Sequence, residues 1–190
     1  MPLAKKSEGK YTYADYLSWP ADERWEIIDG AAYDMTPAPS TSHQEIVLRF
    51  SHTLRNNLTD SPCRVFIAPT DVVLSEHDIV QPDVFVVCDI GKITEANIQG
   101  PPDLIIEVLS PATVIKDKRE KKSLYEKYRV KEYIIVDPIE LYVERFCLKQ
   151  GKYTDFQVFG PQETLPLCFS EGMEIFLSEV FEVAKKRNRR

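Results

Sequence analysis

The chain predicts a mixed α/β domain of α+β type, a central mixed β-sheet flanked by helices, and three observations carry that expectation. Apolar residues switch between helical and strand periods along the chain. Turn and capping residues fall where the period changes. No internal repeat, low-complexity tract or long linker divides the 190 residues, so one domain over 1–190 is expected, with flexible ends at 1–10 and 185–190.

The elements follow in order. Thr12-x-x-Asp15 resembles a capping box and, with Tyr13, Tyr16 and Leu17, opens a short helix that Pro20 closes. Asp29-Gly30, between 25–28 and 31–33, is a dipeptide that tolerates the positive φ of a tight hairpin turn. After a loop at 37–41, Ser42-x-x-Glu45 reads as a second capping box, and Ile46, Val47, Phe50 and Leu54 fall on one helical face. Between 64 and 109 the strand period takes over, predicting strands at 65–74, 79–88 and 104–109. A helix is expected over 117–128 and a strand over 132–137, stopped by Pro138. A hairpin follows at 141–148 and 152–159, with Gly151 near its turn, and a short helix near 177–184.

Composition narrows the class. The chain is 43% hydrophobic and 28% charged, with nine Tyr, nine Phe and two Trp, which excludes a disordered or fibrous chain. No apolar run approaches the roughly 20 residues of a membrane helix, and the start has charges without an apolar stretch behind them. Cys63, Cys88, Cys147 and Cys168 form no C-x-x-C pair and have no histidine at ligand spacing. They read as small core thiols of a reduced, cytoplasmic protein without zinc. The net charge of −6, taken alone, argues against a nucleic-acid binder. It conceals an asymmetry: 116–131 holds eight basic residues against three acidic ones, and 185–190 adds five more basic residues. A solvated helix face and a frayed terminus are the plain alternatives.

Three positions carry chemistry. The strand Leu104-Ile105-Ile106-Glu107-Val108-Leu109 is apolar on both faces except at Glu107, placing a carboxylate where little water reaches. Unpaired, it is costly by several kcal/mol, so it must be protonated, ion-paired or bound to a cation. Pro82-Asp83 heads a second apolar strand, where aspartate is disfavoured unless it is a turn residue. If the two strands are neighbours, both acids can share a hard cation such as Mg²⁺. Asp117, Lys121, Tyr125 and Tyr128 recur on one helix face with Leu124, so Lys121 points inward, either to an ion pair with Glu107 or Asp117 or to a chemical task.

These residues resemble the PD-(D/E)XK restriction-endonuclease-like superfamily. The wider string is similar to its Uma-type restriction-endonuclease family over about 12–181: Trp25-Glu26-Ile27-Ile28-Asp29-Gly30, His43 opening a helix, Pro82-Asp83-Val84, Pro102-Asp103-Leu104 through Ser110-Pro111, Asp117-x-x-x-Lys121-x-x-x-Tyr125 and Glu132-Tyr133 through Asp137-Pro138. The superfamily's lysine two residues after the glutamate is replaced by Leu109, as in the Uma-type group, and the resemblance implies that Lys121 takes over its role. Arg129 stands where the family tends to carry glycine, so the helix end is expected to differ in shape.

Residues and resemblance together give a Mg²⁺- or Mn²⁺-dependent phosphodiesterase acting on nucleic acid, DNA before RNA, with a homodimer expected only by analogy. Asp83 and Glu107 would hold the cation, with the Val108 carbonyl a third ligand, and Lys121 would orient water or stabilise the phosphorane. Lys116, Lys118, Arg119 and Lys122 would hold the phosphate backbone. Glu26 is an accessory ligand or an exposed strand glutamate, His43 an accessory group or a satisfied core histidine, and Asp117 and Tyr125 line the cleft or merely pack. The alternatives are a non-catalytic binding or assembly module on the same fold and a hydrolase of small phosphoesters.

Overall fold

The computed structural model describes residues 9–20, 22–35 and 38–181, apart from the side chain of Asp155. The basic tail at 185–190 and most of the expected flexible start lie outside these residues. In chain order the elements are α1 (Tyr13–Tyr16), β1 (Trp25–Ile28), β2 (Ala31–Asp34), α2 (Thr41–Asn57), β3 (Arg64–Ile67), β4 (Val72–Ser75), β5 (Asp78–Val80), β6 (Val84–Val87), β7 (Ile98–Gln99) and β8 (Leu104–Val108). A continuous helical segment follows, made of α3 (Val114–Lys116), a π-helical turn (Asp117–Lys121) and α4 (Lys122–Lys127). Then come β9 (Glu132–Asp137), β10 (Tyr142–Lys149), β11 (Lys152–Phe159), β12 (Thr164–Pro166), β13 (Glu174–Phe176) and α5 (Leu177–Val180).

The main sheet has the order β11-β10-β9-β8-β6-β3, in which only β8 and β9 run parallel. Both of its faces are covered, which is why its central strands read as unbroken apolar runs. On one face Phe50 and Leu54 of α2 pack against Val84, Val86, Leu104 and Ile106. On the other, Leu124 and Tyr125 of α4 share a core with Phe85, Ile105, Tyr133 and Ile135, closed by Val72 and Val80 of a second sheet ordered β2-β1-β5-β4-β7. β12 and β13 form a separate ribbon. No helix among the described residues is long and apolar enough to cross a membrane.

Local signals explain most boundaries. Thr12 caps α1 with the expected capping box. Asp29 and Gly30 take φ of 49° and 74° between β1 and β2. Ser40, not Ser42, caps α2, so that helix starts at Thr41 and Ser42 falls inside its first turn. The strands expected at 65–74 and 79–88 are each broken in two, at Pro69 and Pro82, and the halves go to different sheets. Arg129 holds the left-handed backbone, φ 60°, that glycine adopts most readily, so the expected glycine is replaced without losing the turn.

The cysteines correct the expectation of free thiols. Arg64 pairs with Val87 across β3 and β6, which sets the flanking Cys63 and Cys88 opposite each other, and they form a disulfide. Cys147 on β10 is bonded to Cys168, which follows β12.

Asp78 ties the second sheet to α4. Its carboxylate accepts from the Asp29 amide (2.7 Å), the Tyr128 hydroxyl (2.6 Å) and Lys127 (3.0 Å). Burial opposes its charge, but these donors outweigh burial and hold the carboxyl below the usual aspartate range. A folded-state value below the unfolded one gives stability that is present above the ordinary aspartate range and lost as pH falls through the depressed value. Asp78→Ala is therefore expected to lower unfolding free energy by about 1–3 kcal/mol at neutral pH. In urea titrations its difference from the parent chain should shrink on acidification; a gap that stays constant with pH would contradict this role.

Candidate active site

The two carboxylates arrive on neighbouring strands. β6 and β8 are antiparallel with Val84 opposite Ile106, so Asp83 and Glu107 flank that pair at the same end of the sheet. The Val108 amide donates to Asp83 Oδ2 at 2.8 Å, locking the two strand ends together. His43, in the first turn of α2, places Nε2 3.1 Å from the same oxygen, and its Nδ1 is buried without a hydrogen-bond partner. Burial disfavours the imidazolium, but the bond and the charge of Asp83 overcome it and raise the His43 pKa.

Lys121 reaches in from the opposite layer. Its Nζ lies 2.8 Å from Glu107 Oε1, 2.8 Å from Glu26 Oε1 and 3.9 Å from Asp117 Oδ1, and the residue is 3% exposed. Tyr125 donates its hydroxyl to Glu107 Oε1 at 2.7 Å while its ring packs edge-on against Tyr133. Glu26 on β1 is fully buried, which settles the choice between an exposed and an inward glutamate. It accepts from Lys121, from Lys116 (2.6 Å) and from the Gln81 amide (3.1 Å).

The π-helical turn explains how two lysines reach one carboxylate. At about 100° per residue an α-helix would put Lys116 and Lys121 on different faces. A π turn repeats at i+5 and brings such residues together, a feature frequent at functional sites. Sequence periodicity hides the inward turn of Lys116 for this reason. The residue expected to touch phosphate is 6% exposed and bonded to Glu26.

The remaining basic positions are corrected similarly. Lys118 pairs with Glu144 at 2.7 Å, Lys122 sits over the Phe146 ring at 4.1 Å, and exposed Arg119 lines a separate groove with Tyr33, Asp78 and Lys127. They form no single basic face beside the carboxylates. Arg24, which the sequence did not single out, lies at the carboxylate cavity and bonds Gln81 Oε1 at 2.9 Å.

A cavity of about 510 Å³ opens on the cluster, lined by Asp83, Glu107, His43, Asp117, Lys116 and Lys121. Four carboxylates (Glu26, Asp83, Glu107, Asp117) gather around two ammonium groups, so negative charge is in surplus. Burial, only partly offset by Lys121, raises the Glu107 pKa, and Asp117 is raised in the same way, with Oδ1 lacking a hydrogen-bond partner. Glu26 escapes this: burial opposes its charge, but Lys121 and Lys116 hold its carboxyl below the usual range. Lys121, despite burial, is held protonated by Glu107, Glu26 and Asp117. A cluster of carboxylate oxygens with surplus negative charge is a donor set of the kind that suits a hard divalent cation.

A family model described as "Putative restriction endonuclease", Uma2, matches residues 13–178. An uncharacterized protein of Synechocystis, slr1290, is 27% identical over 141 residues, covering 72% of this chain and 74% of that protein. A crystal structure from Anabaena variabilis, described as a putative nuclease belonging to DUF820, superposes with a TM-score of 0.74 at 20% identity, covering 90% of this chain and 97% of that one. It shares the mixed-sheet fold. Since the match runs from α1 to α5 and takes in every residue of the carboxylate–lysine cluster, the chain belongs to the Uma2 family of restriction-endonuclease-like proteins.

Proposed function

We propose that the chain is a divalent-metal-dependent endonuclease that hydrolyses nucleic-acid phosphodiester bonds, DNA in preference to RNA. The observation that carries this reading is the meeting of Asp83 and Glu107 at one sheet end with a buried Lys121 ammonium 2.8 Å from Glu107. The family description supports a nuclease and, through the word restriction, DNA. A homodimer is expected by analogy with related nucleases, which often pair to cut both strands.

Mg²⁺ or Mn²⁺, held by Asp83, Glu107 and the Val108 carbonyl, would supply a lowered water pKa and neutralise phosphate charge. The chain's own residues do the rest. Lys121 presents a fixed positive charge toward the cavity, suited to orienting water or stabilising the phosphorane. Glu26 and Asp117 keep that ammonium charged, and Glu26 also draws in Lys116. His43 and the Val108 amide fix the Asp83 carboxylate. Tyr125 orients Glu107 from behind. Arg24, at the cavity, is placed to meet a phosphate.

One observation favours the alternative of a non-catalytic module: Lys121 and Tyr125 already satisfy Glu107 Oε1. The tests separate the two. Removing one partner of a buried ion pair costs about 3–5 kcal/mol, a large share of a domain's roughly 5–15 kcal/mol, so circular dichroism must confirm that each variant is folded. Among folded variants, Asp83→Asn, Glu107→Gln and Lys121→Met are each expected to cut Mg²⁺-dependent cleavage of duplex DNA at least about a hundredfold. Cleavage persisting in all three would overturn the assignment. A wild-type chain that shows no Mg²⁺ binding by calorimetry would support the module instead. Cleavage of a polymer should also fall steeply with added salt as counterion release weakens binding; activity indifferent to salt would point to a small phosphoester.

A further inference from the structure

A second cluster of ligating side chains lies at the other end of the same sheet. Glu132 opens β9 and pairs with Leu104, whereas Glu107 pairs with Ile135. The two clusters are thus three residues apart along the strand, about 10 Å. Cys147 sits opposite Glu132 across β9 and β10, and Cys168 comes in from the loop after β12. Among the described residues this is the one group in which three ligating side chains bring their atoms within 4.8 Å of one another.

Its details point to a ligand. Glu132 is 0% exposed. Its Oε2 accepts from the Cys168 amide at 2.8 Å and the Phe169 amide at 3.0 Å, which fixes the carboxylate plane. Its Oε1 is buried with no hydrogen-bond partner, and an unpaired carboxylate oxygen is costly. Cys168 is exposed and gives access from solvent. The Cα atoms of Cys147 and Cys168 stand 6.0 Å apart, room for two sulfurs to separate to the roughly 3.7 Å that flanks one tetrahedral Zn²⁺ at about 2.3 Å from each. Cys63 and Cys88, with Cα atoms 3.8 Å apart and no carboxylate in their group, offer no such arrangement.

The geometry points to a thiophilic-metal site: in the reduced chain Cys147, Cys168 and Glu132 bind one Zn²⁺, with water in the fourth position. A dithiol reductant gives two electrons and two protons to the Cys147–Cys168 bond and leaves as its own disulfide. Zn²⁺ then takes the two thiolates and releases the two thiol protons. Two thiolates match the charge of the ion, and Arg145, whose guanidinium bonds the Pro166 carbonyl at the end of β12, adds a favourable charge toward Glu132 without forming an ion pair with it. The ion would staple the β12–β13 ribbon to the main sheet, alternating with the disulfide as the redox state changes. This site is independent of the proposed nuclease activity.

The test is Zn²⁺ and Co²⁺ titration of the full chain reduced with a phosphine, which does not compete as a thiol ligand. One equivalent of Zn²⁺ should bind, and Co²⁺ should show sulfur-to-metal charge-transfer absorption. Cys168→Ala, in an exposed loop that should leave folding intact, and Glu132→Gln should each weaken binding at least about tenfold. The oxidised chain should show no cobalt–sulfur band, and Asp83→Ala/Glu107→Ala should keep the site. Failure of the reduced chain to bind, or cobalt–sulfur absorption and affinity that survive Cys168→Ala, would overturn the proposal. Binding unchanged in Glu132→Gln would overturn the carboxylate's part in it.

Discussion

The structure depends on a buried ammonium. Lys121 stands within 2.8 Å of both Glu107 and Glu26, sealed between two sheets and a helix. An ammonium and two carboxyl groups taken from water are costly, and they are tolerated because Lys121 meets both carboxyl groups at hydrogen-bond distance. Removing one partner strands the rest. The cluster therefore fixes β1, β8 and the helical segment relative to one another, and it does so at the open end of the sheet, where the cavity lies. Stability and the proposed chemistry use the same contacts.

That arrangement remains short of neutral. Lys121 and Lys116 suffice to ionise Glu26, but Glu107 is pushed toward its protonated form by burial and by the charges of Asp117, Asp83 and Glu26, and Asp117 by burial and the charge of Glu26. A hard cation, as proposed for this site, would relieve the repulsion that the protein's own cations leave unrelieved. The π turn belongs to the same logic: it sacrifices regular helical hydrogen bonding to bring Lys116 and Lys121 to one carboxylate.

Much of this was legible in the sequence because the signals were local. Glu107 stood out as the one polar residue in a strand apolar on both faces, and Lys121 lay on the apolar face of its helix. The hairpin at Asp29-Gly30 and the cap at Thr12 were fixed by chemistry within four residues. What was lost depended on long-range placement. Pro69 and Pro82 divide runs that periodicity joins, and only tertiary pairing assigns the pieces to separate sheets. Lys116 was misjudged because i+5 contacts are invisible to a period of 3.6 residues. The basic residues of 116–131 looked like a phosphate-binding face, yet Glu26, Glu144, Asp78 and Asp103 from distant strands and loops neutralise five of the eight together with Glu107. The cysteine pairs, 25 and 21 residues apart, depended likewise on strand register and loop placement.

The central claim is that Asp83 and Glu107 share a cation that Lys121 alone does not replace. Anomalous diffraction from crystals soaked in Mn²⁺ tests it most directly. The expected result is a peak bridging the two carboxylates, with the Lys121 ammonium still inside the cluster. A map with no peak there, and Glu107 held only by Lys121 and Tyr125, would contradict it.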